Sequence, residues 1–205
     1  MDLQKNFGVE KDDRQEGVAL QDLAWYKDLE ENIIEIIKEQ QVKLGYISET
    51  VRLYYPLESL NRFMGEECSV KEMHERLKEF CKMVQDKLGE ITVSNAGKRF
   101  CLAVPPQGSN YVHEHMDEND FLVGLIRVVS QHGCTLEDII DVFSQYSQHV
   151  HVEKMENCEF DYLLYFEDGV PGHFRYCFSF EACHVIYHRF TAADYEDFGF
   201  QSRNS

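Results

Sequence analysis

The stretch FDYLLYFEDGVPGHFRYCFSFEACHVIYHRF, residues 160–190, decides how this chain folds. Phe160, Tyr162, Leu164 and Phe166 alternate with Asp161, Leu163, Tyr165 and Glu167. Successive side chains on a strand point to opposite faces, so this period of two predicts a strand with one buried face. Asp168-Gly169-Val170-Pro171-Gly172 supplies the reversal, because proline presets φ and glycine accepts positive φ. Beyond it Phe174, Tyr176, Phe178 and Phe180 alternate with His173, Arg175, Cys177 and Ser179. Folding the chain at the turn sets Phe166 opposite Phe174, Leu164 opposite Tyr176, Tyr162 opposite Phe178, and Phe160 opposite Phe180. A slip of one residue would scatter that apolar face, so the register is specified. Such a face requires a cover.

Working outward, the chain offers amphipathic helices as that cover. Leu23, Tyr26, Leu29, Ile33, Ile36, Ile37, Gln40 and Leu44 form a helical stripe over 20–43, stopped by Gly45. Ser69-Val70-Lys71-Glu72 is a capping-box sequence that opens a helix over 69–88, with Val70, Met73, Leu77, Phe80, Cys81, Val84 and Leu88 on its apolar side. A further stripe, Phe121, Leu122, Leu125, Val128 and Val129, predicts a helix over 120–131, and Thr135 caps the next one, to Ser147. Val51–Tyr55 reads equally as a short strand or a helical turn, and Pro56 suits the first turn of a short helix after it. Residues 91–104 read as a second hairpin around Asn95-Ala96-Gly97, residues 107–119 as a polar loop, and 149–156 as a strand beside the main hairpin. A short acidic helix is expected over 191–198. Strands that come as hairpins among separate helices predict an α+β fold. Its mainly antiparallel sheet is centred on the 160–180 hairpin and packed against about four amphipathic helices, 20–43, 69–88 and the pair within 120–147. Residues 1–18 are expected to be a flexible tail and residues 19–205 a single domain.

Composition narrows the partners. Twenty basic residues stand against 37 acidic ones, a formal net charge of −17. That field repels nucleic acid and anionic membranes and favours solubility or a basic protein partner. Seven cysteines without a CxxC pair, two of them in apolar patterns (Cys81 and Cys101), suggest reduced thiols. The N-terminal run MDLQKNFGVEKDDRQEG has no apolar core of a signal peptide, and no apolar run approaches the ~18 residues of a membrane span. The sequence therefore reads as cytoplasmic.

Two His-x-His pairs, His113/His115 and His149/His151, carry the metal reading. On an extended segment, residues two apart face the same side, so each pair could present two imidazoles to one divalent metal. Glu114 or Glu118 would then serve as base toward metal-bound water. The alternative for both pairs is solvent-facing histidine. The spacing around Gly108, His113, His115 and Glu118 resembles a cupin metal motif, offset by one residue at each step. An amphipathic helix follows that glutamate at once, which an all-β jelly roll does not allow. The pair 120–131 and 136–147 has helix-turn-helix proportions, but Glu137, Asp138 and Asp141 with no Lys or Arg on the second helix point to a packed αα-hairpin. No nucleophile elbow, P-loop or GxGxxG is present. Arg52, Arg99 and Arg175 stand among apolar or aromatic neighbours, and Arg52 and Arg175 are the anion-binding candidates.

Residues 29–60, LEENIIEIIKEQQVKLGYISETVRLYYPLESL, and 97–115, GKRFCLAVPPQGSNYVHEH, resemble an uncharacterised protein family of anaerobic bacteria, a domain of unknown function. The resemblance implies no known activity and assigns no site residue. The leading expectation is a soluble, acidic, cytosolic, non-catalytic binding or interaction protein with no cofactor. The alternative is a metal-dependent hydrolase with ligands from His113-Glu114-His115 and a third from His149 or His151. A third reading is a small-molecule module with a pocket between sheet and helices, anchored by Arg52 or Arg175.

Overall fold

A computed structural model of the chain describes residues 13–156, 158–182 and 184–197. The fold is α+β, with two separate antiparallel sheets. The chain divides into two compact units, one of Met1–Ile37 with Ile47–Glu114 and one of Lys38–Tyr46 with His115–Ser205.

The first unit is built on a three-stranded sheet, β1 (Val51–Pro56), β2 (Thr92–Ala96) and β3 (Arg99–Val104), in the order β1-β3-β2. The segment 51–55 resolves as a strand because Leu53 and Tyr55 pair with Leu102 and Phe100, whose buried faces match. Helix α1 (Asp13–Leu44) gives this unit Trp25, Leu29, Ile33 and Ile37, which repeat every fourth residue and are all buried. Helices α2 (Leu57–Met64) and α3 (Val70–Met83) add Leu60, Met73, Leu77 and Phe80 to the same core as Phe100 and Leu102. The predicted Ser69–Glu72 capping box is formed, with both reciprocal bonds present. The helix expected to run to Leu88 breaks at Val84 and resumes as α4 (Gln85–Leu88).

The sequence reading sets helices 20–43 and 69–88 over the 160–180 hairpin, but the buried side chains of α3, and Trp25, Leu29, Ile33 and Ile37 of α1, pack with β1 and β3 instead. Periodicity shows that a helix has an apolar face, and only non-local burial selects which sheet that face meets. A second correction is α5 (Pro106–Glu114), where a loop is expected. Its buried side is Gly108, Ser109 and Val112, too small and polar to register as a stripe. A Cβ on Gly108 would stand 2.4 Å from Val104 Cγ1 and 3.0 Å from the Leu88 carbonyl oxygen, so the helix approaches as closely as only glycine permits. The Ser109 hydroxyl donates to the Glu49 carbonyl at 3.2 Å.

The second unit holds β4 (Val150–Lys154), β5 (Tyr162–Phe166), β6 (Arg175–Glu181) and β7 (His184–Phe190) in that order, each antiparallel to its neighbour. Tyr162 pairs with Phe178 and Leu164 with Tyr176, the register read from the sequence. Helices α6 (Phe121–Val129) and α7 (Leu136–Tyr146) cover the aromatic face as an αα-hairpin. Phe143 meets Phe121 at 4.8 Å and 74°, and Phe166 at 4.9 Å, while Phe121 meets Tyr176 edge-on at 5.5 Å. Such pairs add about 0.5–1.5 kcal/mol each beyond burial.

Phe160 departs from the expected alternation. It lies buried with Leu163 and Cys177 on the opposite face of the sheet. The Asp161 amide donates to the Phe178 carbonyl at 2.8 Å and its carboxylate accepts the Phe180 amide at 2.7 Å, so the regular ladder ends at Asp161. In the reversal, Gly169 has φ +71°, and a Cβ there would lie 2.3 Å from the His173 ring. Helix α8 (Ala192–Asp197) closes the described chain. The expected 1–18 tail falls partly outside the described residues, and the described helix already begins at Asp13.

Candidate functional site

Strand parity sends His151, Glu153, Leu163, Tyr165, Arg175 and Cys177 to the face of the second sheet away from α6 and α7. His151 stands opposite Tyr165 in the ladder, and their rings stack with centroids 4.6 Å apart and planes at 25°. The Arg175 guanidinium lies 3.5 Å from the Tyr165 ring centroid. His151 Nε2 is 3.3 Å from Glu153 Oε2, and its Nδ1 is 3.7 Å from Glu167 Oε1. Two of the predicted site residues, His151 and Arg175, are thus brought together through a tyrosine that sequence reading did not single out.

The centre of this face is sealed. Leu163 and Cys177 are buried beneath Phe160, Met155, Phe190 and Tyr195. Burial pushes the Cys177 thiol up to about 12, which removes it as a nucleophile near neutral pH. Burial likewise raises the Tyr195 phenol to about 12, with the charges of Cys177, Glu153 and Cys158 adding to it and Arg175 opposing.

The other candidates do not join this cluster. His149 precedes β4 and is exposed; its carbonyl accepts the Glu167 amide at 2.9 Å. His113 and Glu114 are the last residues of α5, and His115 follows directly. The pair straddles a helix end instead of lying on a strand, so the shared side that an extended backbone gives residues two apart is lost. Glu118 is ion-paired with Arg127. Among the described residues, no group of three or more His, Cys, Asp or Glu is placed to hold a metal ion. Arg52 is exposed on β1, on the side of the sheet away from the helices rather than in a pocket between them.

A second polar cluster gathers on Glu39, near the end of α1. Its Oε1 accepts the Tyr187 hydroxyl and the Lys43 ammonium, both at 2.6 Å, and its Oε2 is 3.5 Å from Arg189 Nε. Burial raises the Glu39 carboxyl, but the hydrogen bonds from Lys43 and Tyr187, with the Arg189 charge, outweigh it and hold the pKa below its ordinary value. Burial and the facing carboxylate push the Tyr187 phenol strongly upward. All four polar groups satisfy one another, which is the chemistry of a structural clamp. Sequence reading missed it because Glu39 and Tyr187 are 148 residues apart.

Charge is distributed unequally. The second unit carries 17 acidic and seven basic residues, a net of −10, and the first carries 20 and 13, a net of −7. In the second unit Lys38 pairs with Asp120, Lys43 and Arg189 with Glu39, and Arg127 with Glu118, while Arg175 lies over Tyr165. Helix α7 has no Lys or Arg, and its Glu137, Asp138 and Asp141 are exposed.

These features define a two-sheet α+β protein that carries net negative charge in both units, more in the second. Among the described residues, no helix is long and apolar enough to cross a membrane. The chain belongs to the family described as Domain of unknown function, E. rectale Gene description (DUF3877), whose model matches residues 26–199. This bears out the resemblance carried by residues 29–60 and 97–115. No curated protein and no solved structure matches the chain.

Proposed function

We propose that this chain is a non-catalytic binding protein whose acidic unit engages a basic partner, with the outer face of α7 as the point of contact. One observation carries the reading: Glu137, Asp138 and Asp141 are exposed on a helix without a cation. Residues three and four apart share a helix face, so Asp141 adjoins both of the others. Like charges at that spacing cost a helix a few tenths of a kcal/mol. The first-turn position of Glu137 and Asp138 offsets this through the helix dipole, but Asp141 has no such compensation. A basic partner would supply it. The surrounding excess of carboxylate would also steer such a partner during encounter.

The test is equilibrium binding of a lysine- and arginine-rich peptide, measured at low and at physiological salt. Wild type should bind, and more weakly as salt rises. Glu137→Lys/Asp141→Lys should weaken binding at least tenfold at low salt. Glu31→Lys/Glu58→Lys makes the same change in net charge on the first unit and should weaken it far less. Equal losses in the two double variants would show that bulk charge alone is acting, and no loss in either would remove the basic-partner reading.

A further inference from the structure

The three strands of the first sheet, VRLYYP, TVSNA and RFCLAV, contain no Asp or Glu, in a chain with 37 of them. One face of that sheet carries Leu53, Tyr55, Phe100, Leu102 and Val104 into the core. Strand alternation sends Arg52, Tyr54, Arg99, Cys101, Ala103 and Ser94 to the other. That face is open. Arg52, Arg99 and Ser94 are exposed, and Tyr54 retains 54 % of its surface. Across the sheet, Arg52 stands in line with Ala103 and Thr92, and Tyr54 in line with Cys101 and Ser94.

Two further features mark the face. Arg99 lies 4.9 Å from the Tyr54 ring centroid, and neither Arg52 nor Arg99 has an ion pair among the described residues. The acids nearest in sequence to the outer strands, Glu49, Glu58 and Glu90, flank β1 and β2 rather than lying on them, and Glu58 is paired with Arg62 on α2. Two guanidiniums without a carboxylate thus share one acid-free sheet face in a chain with a net charge of −17. The small side chains of Cys101, Ala103 and Ser94 share that face with the exposed Tyr54.

We propose that this face binds a nucleoside phosphate. The base would lie against the Tyr54 phenol, and Arg52 would take the phosphate with the paired donors of its guanidinium. Arg99, whose guanidinium lies over the Tyr54 ring, adds positive charge beside it. Stacking on an exposed aromatic tolerates any base, because each presents a π face, so the face selects for phosphate plus ring and not for base identity. The ligand is a free nucleotide and not a nucleic-acid strand. Each added phosphate of a strand would enter the field of an acidic chain, whereas a nucleotide meets mainly the local arginines. The proposal concerns the first unit and is independent of the α7 contact.

The test is calorimetric titration of the full chain with adenosine monophosphate, adenosine, inorganic phosphate and a short single-stranded oligoadenylate. The nucleotide should bind saturably, with adenosine and phosphate each at least tenfold weaker. Arg52→Ala and Tyr54→Ala, both at exposed positions, should each weaken the nucleotide at least fivefold. Lys82→Ala, on the exposed side of α3, should leave it unchanged. Absence of saturable binding at millimolar nucleotide would overturn the proposal. So would equal affinity for inorganic phosphate, or tighter binding of the oligonucleotide than of the nucleotide.

Discussion

In the first unit, α2, α3 and α5 close one face of β1-β3-β2 and the other face is bare and basic. In the second, α6 and α7 close one face of β4-β5-β6-β7, and Phe160, Met155 and Tyr195 settle on the other. The cores differ as well. The first leans on aliphatic residues such as Leu60, Leu77 and Leu102, and the second on interlocked rings around Phe143. An antiparallel sheet needs only one buried face, so its second face is where sequence can be spent on chemistry. That second face carries arginines in one half and a histidine–tyrosine–arginine stack in the other.

The largest expected effect comes from emptying the ring cluster. Phe143→Ala removes a fully buried ring and should cost about 3–5 kcal/mol, against about 2–5 kcal/mol for Leu77→Ala in the first unit. Trp25 is the single tryptophan and belongs to the first unit, so its fluorescence reports that half in a urea titration. One cooperative domain over 19–205 requires Phe143→Ala to shift the Trp25 midpoint together with the circular dichroism. A Trp25 midpoint that stays in place while the dichroism splits would mean that the two halves unfold separately.

The Glu39 clamp has no counterpart in the first unit among the described residues. Glu39→Gln should cost roughly 1.5–3 kcal/mol at neutral pH, because Lys43, Tyr187 and Arg189 lose a charged acceptor. The folded carboxyl titrates below its ordinary value of 4.5, so its contribution is fully present above that value and lost as the pH falls through the folded pKa. Stability of the variant and of wild type should therefore converge in acid. A gap that stayed constant from pH 7 down to acid unfolding would show that shape, and not charge, sets the loss.

The smallest effect is the one in which the halves should agree. Ser69→Ala and Thr135→Ala each remove one side of a capping box and should each cost about 1 kcal/mol by denaturant unfolding. A cost at one cap several times that at the other would show that tertiary packing, and not local capping, holds that helix start.

Much of the fold was legible because its signals are local. The 162–178 register follows from period two and a turn of fixed length, and both capping boxes are patterns spanning four residues. The candidate sites were legible only as residue types. His151 and Arg175 were singled out for different chemistries, and Tyr165, which joins them, looked like an ordinary strand residue. His113 and His115 were paired on the assumption of extended backbone, and a helix with a small, half-polar buried side gave no stripe to warn against it.

By itself the sequence determined the α+β class, the aromatic hairpin and its pairing, the starts of α3 and α7, and the acidic excess. Each of these is written within a few residues or in composition. Tertiary structure alone decided that the strands form two sheets, that α3 closes the first rather than the second, and that Phe160 turns to the opposite face. It also decided that Glu39 meets Tyr187 and that Arg52 and Arg99 face solvent without a carboxylate. The reason is physical: periodicity records that a face is apolar, whereas its partner is chosen by burial and hydrogen bonding between residues far apart in the chain.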